Sequence, residues 1–115
     1  MISVSTKELK RTPLLKHVDF SHNSIEFVDG YAFPANMTEL AKIILLNNHI
    51  SRVYKNAFSN LLKLNHLDLS RNKLTSISRK ILHSRDISLN TIDLRKGFGL
   101  QLHVELDYQP FEQIY

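Results

Sequence analysis

The chain has 115 residues, of which 43% are hydrophobic and 23% charged, the length of one domain and the composition of a folded rather than a disordered protein. No run approaches the ~20 apolar residues that cross a bilayer, and cysteine is absent, which excludes disulfides, thiolate metal sites and cysteine nucleophiles. Fifteen Lys and Arg against eleven Asp and Glu leave a net charge of +4, a mild bias toward acidic partners.

Residues 1–14 read as part of a repeat. Counting back 24 positions from Leu15, Met1, Val4 and Leu9 fall where a preceding unit would put apolar residues. Lys7, Glu8, Lys10 and Arg11 stand where an export signal would be apolar, so no such signal is expected in this stretch. From Leu15 the pattern is explicit. Leu15-Lys-His-Val18-Asp-Phe20-Ser-His-Asn23-Ser-Ile25 returns as Leu40-Ala-Lys-Ile43-Ile-Leu45-Leu-Asn-Asn48-His-Ile50 and as Leu64-Asn-His-Leu67-Asp-Leu69-Ser-Arg-Asn72-Lys-Leu74. A damaged fourth copy runs Leu89-Asn-Thr-Ile92-Asp-Leu94-Arg-Lys-Gly97, and the four starts lie 25, 24 and 25 residues apart. Past it, Leu100, Leu102, Val104, Leu106 and Tyr108 alternate with polar residues, which predicts a half-buried strand, either a cap on the stack or a non-native ending.

In each unit the alternation places Val18 and Phe20, Ile43 and Leu45, Leu67 and Leu69, and Ile92 and Leu94 inward, with their neighbours outward. One strand and one loop cannot bury an apolar face alone, so the units must stack, their parallel strands roughly 4.8 Å apart. With only three glycines and three prolines, the turns fall to asparagine. Asn23, Asn48 and Asn72 follow the strands, where a carboxamide can donate to and accept from backbone groups of adjacent turns. Phe33 and Phe58 are expected to stack as a spine in the opposite half of the core.

The unit Leu-x-x-Leu-x-Leu-x-x-Asn-x-Leu resembles the leucine-rich repeat family over Leu15–Leu94, 80 of the 115 residues. Val28, Val53 and Ile77, then Phe33, Phe58 and Leu82, continue the match. Tyr31-Ala-Phe33 and Asn56-Ala-Phe58-Ser-Asn-Leu61 look like the typical 24-residue subclass common in extracellular and receptor-ectodomain proteins. The resemblance implies an α/β-type repeat: a solenoid with a curved parallel β-sheet on its concave face and loops or short helical turns on its convex face. It divides the chain into a partial repeat at 1–14, full repeats at 15–39, 40–63 and 64–88, an incomplete repeat at 89–99 and a C-terminal strand or tail at 100–115. The family usually closes its ends with cysteine-bearing caps. None is present here and both ends fall inside a repeat, so a fragment or short form of a longer protein is expected.

Function in such a stack resides in the outward strand residues. The central column reads Asp19, Ile44, Asp68, Asp93, flanked by His17, Lys42, His66, Thr91 and by Ser21, Leu46, Ser70, Arg95, with Arg71 and Lys96 beyond. Ile44 and Leu46, apolar where the other units are polar, are expected to anchor a partner inside a polar rim. Candidate partner-binding residues are therefore His17, Asp19, Lys42, Ile44, Leu46, His66, Asp68, Arg71, Asp93 and Arg95. His17-x-Asp19-x-Ser21 and His66-x-Asp68-x-Ser70 carry hydrolase-like residue types. Residues two apart on a strand have Cα atoms ~6.5 Å apart and parallel side chains, which is not triad geometry. His17 and His66 are two strand spacings apart with Lys42 between them, so no metal site is expected, and no cofactor either.

Acidic residues interrupt the basic ones on this face and no aromatic interleaves them, which disfavours nucleic acid. A protein ligand is expected, an anionic glycan is a weaker candidate, and self-association through uncapped ends is foreseen. Arg79, Lys80 and Arg85 are assigned to the opposite, solvated surface. Asn36-Met37-Thr38 is an N-glycosylation sequon in the loop between the first two full repeats. The expectation is a non-catalytic interaction module of an extracellular or cell-surface protein; a structural spacer and an intracellular, cytoplasmic scaffold are the alternatives.

Overall fold

Three-residue strands open the units because only the central residue of each must turn inward, onto a core shared with its neighbours. A computed structural model describes residues 3, 4, 6–78, 91–93, 95–97, 100, 101, 103–105, 113 and 114. Strands β1 (His17–Asp19), β3 (Lys42–Ile44), β5 (His66–Asp68), β7 (Thr91–Asp93) and β11 (Gln113–Ile114) pair in that order as one parallel sheet. Val18, Ile43, Leu67, Ile92 and Ile114 share one register row, and Asp19, Ile44, Asp68 and Asp93 share the next.

A second ladder lies in the other half of each turn. There β2 (Phe27–Val28) runs parallel to β4 (Arg52–Val53), Val28 opposite Val53, and Ser3 bridges to Phe27. Between β4 and β5 the backbone turns on successive i→i+3 bonds, Ala57 to Tyr54, Leu61 to Phe58 and Leu64 to Leu61. The one helix among the described residues is the 3₁₀ helix Lys7–Arg11.

The core is continuous through the turns, joining Ile43, Leu45, Leu67 and Leu69 of the sheet to Val28, Val53, Phe33 and Phe58 behind it. The rings of Phe20, Phe33 and Phe58 form the spine, with centroids 6.4 Å and 6.0 Å apart. Position in the stack governs burial. Leu40 and Leu64 are fully buried, whereas Leu15 at the same place in the first unit, just before the border strand β1, is 36% exposed.

Two left-handed positions recur in each turn, at His22, Asn47 and Arg71 and at Tyr31 and Asn56, all with φ between 54° and 66°. The first type donates its backbone N–H to the following turn, His22 to Leu46 O, Asn47 to Ser70 O and Arg71 to Arg95 O. Gly30 precedes Tyr31 where a Cβ would lie 2.8 Å from the Lys55 carbonyl oxygen, so close approach of two turns requires glycine there.

The fourth unit departs from the others where Gly97 replaces the turn asparagine. There β8 (Arg95–Gly97) and β9 (Leu100–Gln101) form an antiparallel pair with an irregular register. The tail then returns to both ladders: β10 (His103–Glu105) lies parallel to β6 (Ser76–Ser78), Val104 opposite Ile77, and β11 sets Ile114 opposite Ile92. Met1, Leu82, Leu89, Leu94, Leu102, Leu106, Tyr108 and the basic residues Arg79, Lys80 and Arg85 lie outside the described residues.

Candidate partner-binding face

The turn that ends each strand is held by asparagine. Asn48 Nδ2 donates to Phe20 O and Leu45 O, both at 3.1 Å, while its Oδ1 accepts the Ile25 N–H at 3.2 Å. Asn72 repeats this one turn on, donating to Leu45 O at 2.9 Å and Leu69 O at 3.1 Å and accepting from Ile50 N at 3.0 Å. Among the described residues Asn23 bonds within its own turn, through Nδ2 to Phe20 O and Ser21 O. These side chains are committed to the fold.

The outward acids are committed in part. Asp19 Oδ1 accepts the Ser21 N–H at 2.8 Å, Asp68 Oδ1 the Ser70 N–H at 2.9 Å and Asp93 Oδ1 the Arg95 N–H at 3.1 Å. Each carboxylate thus closes the bend two residues on. Ser70 Oγ adds a 2.5 Å bond to Asp68, and with this geometry the aspartate holds the serine rather than orienting the histidine. The Ser21 side-chain and backbone hydrogen bonds keep the Asp19 carboxyl below the usual carboxylate range. Burial pushes the Asp93 carboxyl up, but the side-chain and backbone hydrogen bonds and the charge of Arg95 outweigh it and hold it low. Arg95 grips Asp93 through Nε at 3.0 Å and Nη2 at 2.5 Å, and Asp93 is buried.

The second unit breaks this pattern. Ile44 and Leu46 stand where the first and third units place aspartate and serine, and both are half-buried. Leu46 lies at one wall of an open hollow of about 490 Å³, lined also by Asp68, Ser70, Arg71, Asp93 and Arg95. The Arg71 side chain is exposed and makes no hydrogen bond or ion pair among the described residues. His66 lies between Lys42 and Thr91 in the adjoining column. Burial and the Lys42 charge lower its pKa against the pull of Asp68 and Asp93, so it charges later in acid than an ordinary histidine. His17 is exposed on the border strand of the sheet.

A second hollow of about 310 Å³ is lined by Ser24, Glu26, His49, Ser51 and Lys73. Sequence reasoning passed over it, although Ser24, His49 and Lys73 each follow a turn asparagine and so share a column. Among the described residues no group of three or more His, Asp or Glu is placed to hold a metal ion, and no helix is long and apolar enough to cross a membrane.

Parallel strands stacked in one register and turns cross-linked by asparagine define a repeat protein. The sequence profile described as "Leucine rich repeat" matches residues 38–96, just over half of the chain, and the chain belongs to that family. Among curated relatives, Amphoterin-induced protein 2 of Homo sapiens is 32% identical over 75 residues, 61% of this chain and 14% of that protein. Leucine-rich repeat-containing protein 3B of Mus musculus is 37% identical over 59 residues, 51% of this chain and 23% of that protein. The chain thus spans less than a quarter of the length of these relatives. Leucine-rich repeat proteins are generally non-enzymatic interaction modules.

Proposed function

We propose that the chain is a segment of a leucine-rich repeat solenoid whose strand-lined, concave face binds a protein partner in an extracellular or cell-surface setting, without catalysis. One observation carries this reading: at Ile44 and Leu46 the turn-closing acid and its serine give way to two aliphatic side chains, beside a hollow that also presents the Arg71 guanidinium, exposed and without a side-chain partner among the described residues. An apolar side chain set over Leu46 with a carboxylate reaching Arg71 would fit that combination.

The experiment is binding of a fluorescent tetramer of the chain to the surface of cultured cells. Leu46→Asp is expected to weaken staining about 5-fold or more, as loss of about 1 kcal/mol at an anchor requires. Lys55→Glu, at an exposed turn away from the sheet, leaves it unchanged. Loss of staining only with Lys55→Glu would move the site off the sheet.

The extracellular assignment draws on the subclass resemblance and on the sequon. Asn36 and Thr38 are exposed while Met37 between them is buried, and Asn36 Nδ2 makes one long contact, 3.3 Å, to Lys10 O. Expressed behind a signal sequence in secreting cells, the chain should carry a glycosidase-sensitive mass that Asn36→Gln removes. An unmodified secreted product would withdraw that support.

A further inference from the structure

Asp29 and Gly30 follow β2, and bonds to the next unit fix the chain on either side of them. The Tyr54 N–H donates to Val28 O and the Tyr31 N–H to Asn56 O, each at 2.9 Å. The linkage between these two points is not held. Asp29 and Gly30 are both exposed, and among the described residues the Asp29 carboxylate makes no hydrogen bond or ion pair and the Gly30 N–H has no acceptor. Asp19 and Asp68 differ on both counts. Their carboxylates accept the N–H two residues on, and the N–H immediately after each lies in the sheet, Phe20 to Ile44 O and Leu69 to Asp93 O, both at 2.8 Å. The Lys55 carbonyl oxygen, 2.8 Å from where a Cβ would stand, imposes glycine at position 30. Without a side chain, the amide nitrogen that follows Asp29 is also unshielded.

We propose that Asp29 is a site of spontaneous isomerisation, in which the main chain is rerouted through its side chain by attack of the Gly30 nitrogen. In the first step a bond forms between Gly30 N and Asp29 Cγ, while the amide hydrogen and the hydroxyl of the protonated carboxyl leave together as one water. The product is a five-membered succinimide. In the second step water adds to one of the two ring carbonyls and breaks its bond to the Gly30 nitrogen. Opening at Cγ restores aspartate; opening at the Asp29 main-chain carbonyl leaves the chain running through Cγ, with that carbonyl now a free carboxylate. One water is lost and one regained, so no oxidant, metal or other reagent takes part.

The isoaspartyl product carries one extra methylene in the main chain between Val28 O and Tyr31 N, the two points bonded to the next unit. Tyr31 is already left-handed at φ 54°, and Gly30 lies against the Lys55 carbonyl, so the lengthened segment loses part of this set of contacts. The ladder that pairs Val28 with Val53 is thereby loosened at its end.

The test is incubation of the purified chain at body temperature in mildly acidic buffer, folded and in urea, followed by peptide mapping with electron-transfer fragmentation, which separates isoaspartyl from aspartyl linkages. Folding is expected to slow isomerisation at Asp19 and Asp68 at least about 10-fold, since each must first give up hydrogen bonds, and to leave the rate at Asp29 within about 3-fold of its value in urea. A peptide one water lighter at Asp29–Gly30 should precede the isoaspartyl product. Asp29→Glu keeps the charge but would need a six-membered ring, and abolishes both species at this position. The isoaspartyl form, separated by chromatography, should melt below the parent. Suppression at Asp29 by about 10-fold or more on folding, or an isoaspartyl form that melts with the parent, would overturn the proposal.

Discussion

Asn48 accepts the Ile25 N–H through Oδ1 and donates through Nδ2 to the carbonyls of Phe20 and Leu45, so one side chain ties its own turn to the one before it. Removing it leaves the Ile25 N–H and the Leu45 carbonyl, both on buried residues, without this partner. Asn48→Ala should therefore cost about 1–3 kcal/mol in chemical denaturation. The control one position outward is Asn47→Gly, because Asn47 sits at φ 56° and alanine there would add strain of its own. Asn47→Gly is expected to cost under about 1 kcal/mol, and equal losses from both substitutions would place the ladder elsewhere.

Leu15 and Leu40 occupy the same place in successive units but differ from 36% to 0% in exposure. Leu40→Ala should cost about 2–5 kcal/mol, as expected of a buried leucine whose cavity cannot fully collapse. Leu15→Ala should cost under about 1 kcal/mol, since much of its side chain already meets water. Urea titrations of the two variants test this gradient, and equal costs would mean that the first unit is covered in solution.

His66 carries a pH signature. Its folded pKa lies below the ordinary value because burial, and then Lys42, disfavour the imidazolium. The unfolded chain therefore takes up the proton first, and stability falls as the pH drops from about 6.5 toward the folded pKa. Melting temperature should decline between pH 7.5 and 5.5, and His66→Gln should lessen that decline. The low pKa values of Asp19, of Glu39 paired with Lys63 at 2.7 Å, and of Asp93 act in a separate window, favouring the fold above the carboxylate range and losing that effect as pH falls through it. A His66→Gln melt with the parent's full decline would contradict the assignment.

The strand register was legible because period-two burial around Val18, Ile43 and Leu67 leaves one inward residue per strand, and a one-residue slip would expose all three. The aromatic spine was legible for the same reason, as Phe33 and Phe58 recur at one repeat spacing. Other features depend on backbone geometry that residue types do not announce. Nothing in His22, Arg71 or Tyr31 marks a left-handed residue, since each adopts it because neighbouring turns fix the bend. The role of Asp19, Asp68 and Asp93 in closing the bend was hidden because a carboxylate that accepts the N–H two residues on reads in sequence as a free surface charge. The grip of Arg95 on Asp93 is a side-chain conformation no spacing encodes. The return of β10 and β11 to the two ladders was obscured because Gly97 stands in the asparagine position and breaks the repeat before the tail resumes it.

The most direct test of the sheet face as a binding surface is site-specific photocrosslinking on cells. A photoreactive residue replaces Leu46 in one variant and Lys55 in another, and the chain is irradiated after binding to the cell surface. Leu46 lies at the hollow shared with Arg71, and Lys55 on an exposed turn away from the sheet. The account predicts a discrete crosslinked protein from position 46 and none from position 55. A crosslink from position 55 with none from position 46 would contradict it.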